Sequence, residues 1–325
     1  MEYRKLGHSA LRVSAISFGA GPVSGLMVGK ATERQNDTIA VATEHGVNWF
    51  DTAATYGNGI SESCLGRALL TANCLDHVQI ATKVRLQPQD LDDIPNAIRH
   101  SFELSRNRLG VNRVSLLQLH NSVTSRRGDL PSSICVSDVI GSNGVAAAFE
   151  QLRRQGLVQH FGFTGLGDRK SLTAIVDSKI FTAAQIPLNV LTPIAGQDSS
   201  AGSINVNYLE LAEHCQAKGV GVIAIRVLAG GALSQQPASP HTRKTKFFTH
   251  ELFQRDRARA HALQCAFEQQ MSVSVASIRY VTGNLPVSTA LIGFANAGQI
   301  TEAVQAVAEG PLDDDTLTTL DSLSP

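Results

Sequence analysis

The sequence predicts an α/β fold, a (β/α)8 TIM barrel formed by residues 1–325 as one domain. Three observations point to it. Short continuous apolar runs alternate along the chain with segments of helical pattern, as expected of parallel strands buried on both faces. Several helical segments stop at a glycine followed by an aliphatic residue that opens the next run: Gly46-Val47, Gly110-Val111, Gly156-Leu157 and Gly219-Val220. Glycine is the residue that most readily takes the left-handed position closing a helix. Finally, the polar residues best suited to chemistry fall at the C-terminal ends of the runs, where TIM-barrel sites are built.

In order, barrel strands are expected near 15–18, 47–50, 78–82, 114–119, 159–163, 183–187, 220–225 and 287–292. Helices are expected near 33–45, 61–70, 91–108, 144–155, 168–177, 204–217, 272–282 and 296–308. Additions to the eight units are an N-terminal hairpin, a Gly/Pro/Ser-rich loop at 229–250 over the barrel mouth, a helix at 251–270 and a last helix at 313–322. Asp313-Asp314-Asp315 suits the first turn of that helix, where acids meet the positive end of the dipole.

Asp51, Tyr56, Lys83 and His120 form the candidate catalytic group. Asp51 and His120 directly follow strands, Lys83 closes one, and Tyr56 lies five residues beyond Asp51. Taken singly, each has an ordinary structural reading as a cap, loop aromatic, solvated strand end or satisfied histidine. Together they suit proton transfer. A free tyrosine titrates near about 10, and a neighbouring ammonium favours the phenolate. An aspartate would balance that ammonium, and a histidine could hold a carbonyl oxygen over the phenol.

These residues carry a resemblance. Asp51-Thr52-Ala53-Ala54-Thr55-Tyr56-Gly57, followed by Ser61-Glu62 and Leu65-Gly66, resembles the signature segment of the aldo-keto reductase family. Ala81-Thr82-Lys83 is similar to its lysine strand and Leu117-Gln118-Leu119-His120 to its histidine strand. The opening Tyr3-Arg4-Lys5-Leu6-Gly7 through Ser14 resembles its N-terminal hairpin. The resemblance implies that Tyr56 is the general acid or base, that Lys83 lowers its pKa, that Asp51 holds Lys83 and that His120 orients the substrate oxygen. Leu-His-Asn at 119–121 resembles the branch that oxidises free sugars, such as aldose and galactose dehydrogenases. A second reading is a regulatory, cofactor-sensing barrel like potassium-channel β subunits, which the complete tetrad disfavours.

The family implies an extended nicotinamide cofactor, NAD or NADP, across the barrel mouth. Thr164 and Gln185 would hold its amide, Arg226, Leu228 and Gly230 its pyrophosphate, and Gly293, Gln299 and Glu302 its adenosine. The chain departs from the family pattern at Gly165, where an asparagine is usual, at Ile225, where an aromatic stacks, and at Ala303. Arg226 stands where a small polar residue is usual. NADP-preferring members carry a lysine at the position of Gly293 and an arginine at that of Gln299, so NAD is favoured here.

Composition excludes several classes. Net charge is zero and charged residues make up 17%, so a nucleic-acid partner, which calls for a basic excess, is not expected. Five scattered cysteines without a C-x-x-C pair point to reduced thiols in a cytoplasmic protein and to no metal site. No membrane association is expected, since the longest apolar stretch, 220–233, is broken by Arg226 and glycines. The N-terminus lacks an apolar signal core. The expected partner is a small carbonyl or alcohol substrate, bound by a monomer or small homo-oligomer. Gly19-Ala20-Gly21-Pro22 nearly spells a dinucleotide fingerprint, but Pro22 removes a donor that a phosphate would need, so a turn at the substrate floor is the better reading.

Overall fold

The computed structural model describes residues 1–192, 204–245, 248–267 and 270–322. A hairpin of β1 (Tyr3–Lys5) and β2 (Arg12–Ser14) opens the chain. The barrel is built from β3 (Ile16–Gly19), β4 (Trp49–Asp51), β5 (Gln79–Val84) and β6 (Val114–Leu119). After a small parallel pair, β7 (Val123–Thr124) and β8 (Ile134–Cys135), it continues through β9 (Val158–Thr164), β10 (Ala183–Pro187), β11 (Gly221–Ile225) and β12 (Thr289–Ile292). The eight barrel strands are parallel, each neighbours the next in chain order, and β12 pairs with β3 to close the ring. This is the expected (β/α)8 fold.

The helix stops read from the sequence hold in three dimensions: Gly46, Gly110, Gly156 and Gly219 all have positive φ, between 68° and 82°. Boundaries shift where side chains compete for the backbone. The second strand starts at Trp49 rather than 47, because Asn48 is tied to the hairpin, accepting from Ser14 N at 2.8 Å and donating to Arg12 O at 2.9 Å. The expected helix at 91–108 divides into a 3-10 turn, Pro88–Asp92, and a helix, Ile94–Leu109, whose first turn donates to Asp93. The one expected at 272–282 runs only from Val273 to Arg279 and then widens into a π turn, Tyr280–Asn284. The helix expected from 204 begins at Tyr208, capped by Asn207. The loop at 229–250 contains a 3-10 segment, Ala229–Ser234, and the next helix is His250–Ala266. Residues 246–247 and 268–269 of those expected segments lie outside the described residues. The last helix, Asp314–Ser322, is capped by Asp313, which accepts from Thr316 N at 2.8 Å.

The hairpin seals the N-terminal end of the barrel. Leu6 and Val13 pack with the inward-facing Trp49, Ala81, Leu116, Ala183 and Ile223 into a small apolar cluster separate from the main core. The main core lies between barrel and helices. Because side chains alternate along a strand, the inward positions two residues further on face the opposite, C-terminal mouth. On four of the five strands those positions are polar and buried, Asp51, Lys83, Gln118 and Gln185, and on β11 the position is Ile225, half-buried. The fold thus stacks a polar layer on an apolar floor.

Gly66 shows how tightly the outer layer meets. It lies in the helix Ile60–Thr71, and an added Cβ would stand 2.2 Å from the carbonyl oxygen of Leu109. Glycine-to-alanine changes within helices usually stabilise by about 1 kcal/mol. Here overpacking against rigid backbone should win, so Gly66→Ala should lower stability by about 1–3 kcal/mol. A reduced midpoint in urea unfolding checks this; a raised midpoint would contradict the packing.

Candidate active site

Three strand ends and the 3-10 turn after β4 bring the expected catalytic group together. Lys83 Nζ donates to Asp51 Oδ1, to the carbonyl oxygen of Thr52 at 2.8 Å and to Tyr56 Oη at 3.3 Å. The ammonium also lies 4.9 Å from the centroid of the Tyr56 ring. His120 meets that ring edge-on with centroids 5.6 Å apart, and its Nδ1 is 3.4 Å from Thr55 Oγ1. Tyr56 and His120 are half-buried, whereas Asp51 and Lys83 are each only 1% exposed. Two groups face the mouth and two support them from beneath.

The segment carrying Tyr56 is folded by its own residues. Gly57, Asn58 and Gly59 take positive φ in succession, turning the chain sharply into the helix Ile60–Thr71. An added Cβ on Gly59 would meet Arg108 at 2.5 Å. Ser61 Oγ donates to Ala20 O at 2.7 Å, and Glu62 accepts from Thr82 Oγ1 and from Arg108 Nε, both at 2.6 Å. Buried Ser61 and Glu62 therefore bolt this helix to β3 and β5 on either side of Tyr56. Gly21 stands opposite, where an added Cβ would be 3.8 Å from the phenol ring, so the glycine-rich turn after β3 does form one wall beside it.

Asp51 is held by more than Lys83. Its Oδ2 accepts from Gln118 Nε2 at 2.8 Å and from Gln185 Nε2 at 2.7 Å. Burial works against both charges of the pair, pushing Asp51 up and Lys83 down. Attraction to Asp51 and Tyr56 outweighs burial for Lys83, whose net shift is upward. Lys83 is thus a fixed ammonium beside the phenol. Burial, then the Lys83 and Arg85 charges, hold His120 well below its ordinary 6.5, so near neutral pH it is an uncharged imidazole.

The expected cofactor residues divide into two groups. Thr164 and Gln185 sit beside the tetrad, paired across β9 and β10. Thr164 Oγ1 is buried with no partner, and Gln118 Oε1 is likewise, so the mouth presents two buried polar atoms suited to an amide. Arg226 already has partners: its guanidinium stacks 3.3 Å from the Phe248 centroid and lies 3.7 Å from Asp256. Its loop is strongly contorted, with positive φ at Arg226, Ala229, Gly230 and Gly231, and Leu228 O accepts from Gly231 N at 2.8 Å. Gly293 lies at the far rim, close to Gly19 and Ser24. The Gln299 side chain accepts from Ala295 N at 2.8 Å, and Glu302 is exposed on the helix Ala297–Ala308.

Two residues that the sequence reading passed over belong to this constellation. Gln118, a lone amide in an otherwise apolar strand, is fully buried and needs a partner there, which is the signal that could have found it. Arg85 follows Lys83 by the two-residue period of a strand and so rises on the same side of β5. Asn121, which follows His120, has a structural task. Its amide is committed to Leu86 N and O and to Ser132 O, each at 2.8 Å, and joins loops. Among the described residues no group of three or more His, Cys, Asp or Glu could hold a metal ion, and no helix is long and apolar enough to cross a membrane.

Comparison with known proteins agrees with this geometry. L-galactose dehydrogenase of Arabidopsis thaliana is 27% identical over 317 residues, 95% of this chain and 89% of that protein. D-threo-aldose 1-dehydrogenase of a Pseudomonas species is 23% identical over 325 residues, covering 92% of this chain and 91% of its own. Among solved structures, the holo form of an aldo-keto reductase from Bacillus halodurans superposes with a TM-score of 0.72 at 21% identity, covering 100% of this chain and 97% of that one. The model of the Aldo/keto reductase family matches residues 15–325, and the chain belongs to that family.

Proposed function

We propose that this protein is an NAD(P)-dependent oxidoreductase acting on the carbonyl/alcohol pair of a sugar or other small polar aldehyde or alcohol. The observation that carries the reading is the single ammonium of Lys83 bonded at once to Asp51 and to the Tyr56 hydroxyl. The aldose-type substrate is supported by the two relatives whose names specify galactose and aldose oxidation. A cofactor-sensing barrel without turnover has less support, because all four members of the proton-transfer group are present and in contact.

In this reading Tyr56 gives its proton to the carbonyl oxygen during reduction and takes it back during oxidation. Lys83 stabilises the phenolate left behind, and Asp51, fixed by three donors, keeps Lys83 charged and in place. Neutral His120 presents one ring nitrogen as a donor to the substrate oxygen, holding it over Tyr56. The nicotinamide, when bound, donates or accepts the hydride. Thr164 Oγ1 and the Gln185 amide would hold its carboxamide, the contorted 226–231 loop its pyrophosphate and the Gly293–Glu302 segment its adenosine.

Tyr56→Phe should lower kcat by at least about 10²-fold while leaving the NAD dissociation constant within a few fold. Near wild-type turnover in steady-state assays would remove Tyr56 from the mechanism.

His120 also makes a prediction about stability. Its folded pKa lies below 6.5, so the unfolded chain binds the extra proton and stability falls as pH drops below 6.5 toward the folded value. His160 and His241 are shifted the same way and contribute in parallel. His120→Gln should make the stability-versus-pH slope in that window shallower, by up to about 1.4 kcal/mol per pH unit. Urea unfolding at a series of pH values measures it, and an unchanged slope would mean that His120 is charged in the folded protein.

NAD should serve at least as well as NADP. The Gly293–Glu302 segment contains no lysine or arginine, so a 2′-phosphate there forgoes charge-assisted bonds worth about 1.5–3 kcal/mol each. The ratio of kcat/KM for the two cofactors decides the matter. A preference for NADP above about 100-fold would place a phosphate-binding cation elsewhere.

A further inference from the structure

One buried carboxylate ties together the two elements that must hold Tyr56 against Lys83. Glu62 lies in the helix that the Tyr56 turn leads into, and its side chain is fully buried. Its Oε1 accepts from Thr82 Oγ1 at 2.6 Å, and Thr82 precedes Lys83 on β5. Its Oε2 accepts from both Nε and Nη2 of Arg108, each at 2.6 Å. Arg108 comes from the helix Ile94–Leu109, and its Nη2 also donates to Ser105 Oγ at 3.2 Å. Beside it the carbonyl oxygen of Leu109 faces Gly66, 2.2 Å from where an added Cβ would stand, so the backbone of Arg108 has little room to shift.

The arginine stem in turn covers Gly59. An added Cβ there would stand 2.5 Å from both Cδ and Nε of Arg108, while one on Gly57 would stand 3.0 Å from Val28 Cγ1. The turn between these contacts needs support. Gly57, Asn58 and Gly59 have φ of 58°, 52° and 90° in succession, and Asn58 N reaches Thr55 O only at 3.5 Å. A backbone held in such conformations persists only where its surroundings over-determine it. The bond that this turn aims, from Lys83 Nζ to Tyr56 Oη at 3.3 Å, is longer than those to Asp51 and to the Thr52 carbonyl. We propose that Arg108 is a positioning residue for Tyr56: lying on Gly59 and held by Glu62, it fixes the turn that sets the phenol against Lys83. The inference rests on the oxidoreductase reading for what the phenol does, but not for where it is held.

Two measurements on the full chain separate this inference from that reading. The first is kcat together with the NAD dissociation constant. The second is the NMR signal of each phenol carbon in protein labelled at tyrosine Cζ, which reports hydrogen bonding without turnover. Tyr56 is identified among the four tyrosines by the signal lost in Tyr56→Phe. Arg108→Ala should lower kcat about 10- to 100-fold and leave the dissociation constant within a few fold. It should also shift the Tyr56 signal while those of Tyr3, Tyr208 and Tyr280 stay in place. The kcat loss should vanish in the Tyr56→Phe background. Arg108→Lys, which keeps the charge and most of the stem, should regain part of the activity. Arg108→Ala strands the buried Glu62 carboxylate, so the double variant Arg108→Ala/Glu62→Gln carries the test if the single one fails to fold. That variant should remain slow, since Gly59 is still uncovered. Wild-type kcat in it would mean that Arg108 only neutralises Glu62 and would overturn the inference. An unmoved Tyr56 signal, or a kcat loss that persists in full beside Tyr56→Phe, would overturn it as well. If nothing turns over but the Tyr56 signal moves, the oxidoreductase reading fails and this one stands.

Discussion

A buried ion pair, Lys83 with Asp51, is the constraint on which the rest of this site depends. Removing both charges from water costs several kcal/mol per ion after relaxation, and attraction repays it only when the remaining hydrogen-bonding capacity is filled. The barrel fills it. Asp51 accepts from Lys83, Gln118 and Gln185, and Lys83 also donates to the Thr52 carbonyl and the Tyr56 hydroxyl. Groups from β4, β5, β6 and β10 thus converge on one carboxylate. Because all of them ride on barrel strands, the pair cannot drift relative to the phenol without disturbing the ring itself.

The same stacking separates folding from chemistry. The floor of Trp49, Ala81, Leu116, Ala183 and Ile223 is apolar and closed from beneath by Leu6 and Val13 of the hairpin. An apolar layer below and a half-buried phenol above it would suit the proton transfer proposed for Tyr56, since charges are felt more strongly away from bulk water. Gln185 connects the two halves of the mouth. One of its ends is committed to Asp51, and it lies beside Thr164, where the proposed amide contacts would form.

Much of this was legible in the sequence, for reasons that are local. The glycine stops are readable because only glycine takes their left-handed φ cheaply, and the apolar runs because both strand faces are buried. Asp51, Lys83 and His120 are readable because a barrel places its site at strand ends. What escaped depends on long-range contacts. Gln118 is explained only by an aspartate 67 residues away, and Gln185's bond to that aspartate spans 134 residues. The Arg226 environment needs Phe248 and Asp256, which arrive from a later loop and helix. The break before Ile94 follows from Asp93 acting as a cap, a local cue outweighed by the helical pattern around it.

The central claim is that Asp51, Lys83 and Tyr56 work as one unit. A double-mutant cycle tests it most directly, by measuring kcat for Tyr56→Phe, for Lys83→Met and for the two combined. If Lys83 acts through the tyrosine's proton, removing it after Tyr56 should cost little, and the double variant should turn over about as slowly as Tyr56→Phe alone. Full additivity, with the two losses multiplying, would show that Lys83 acts by an independent route and would contradict the account.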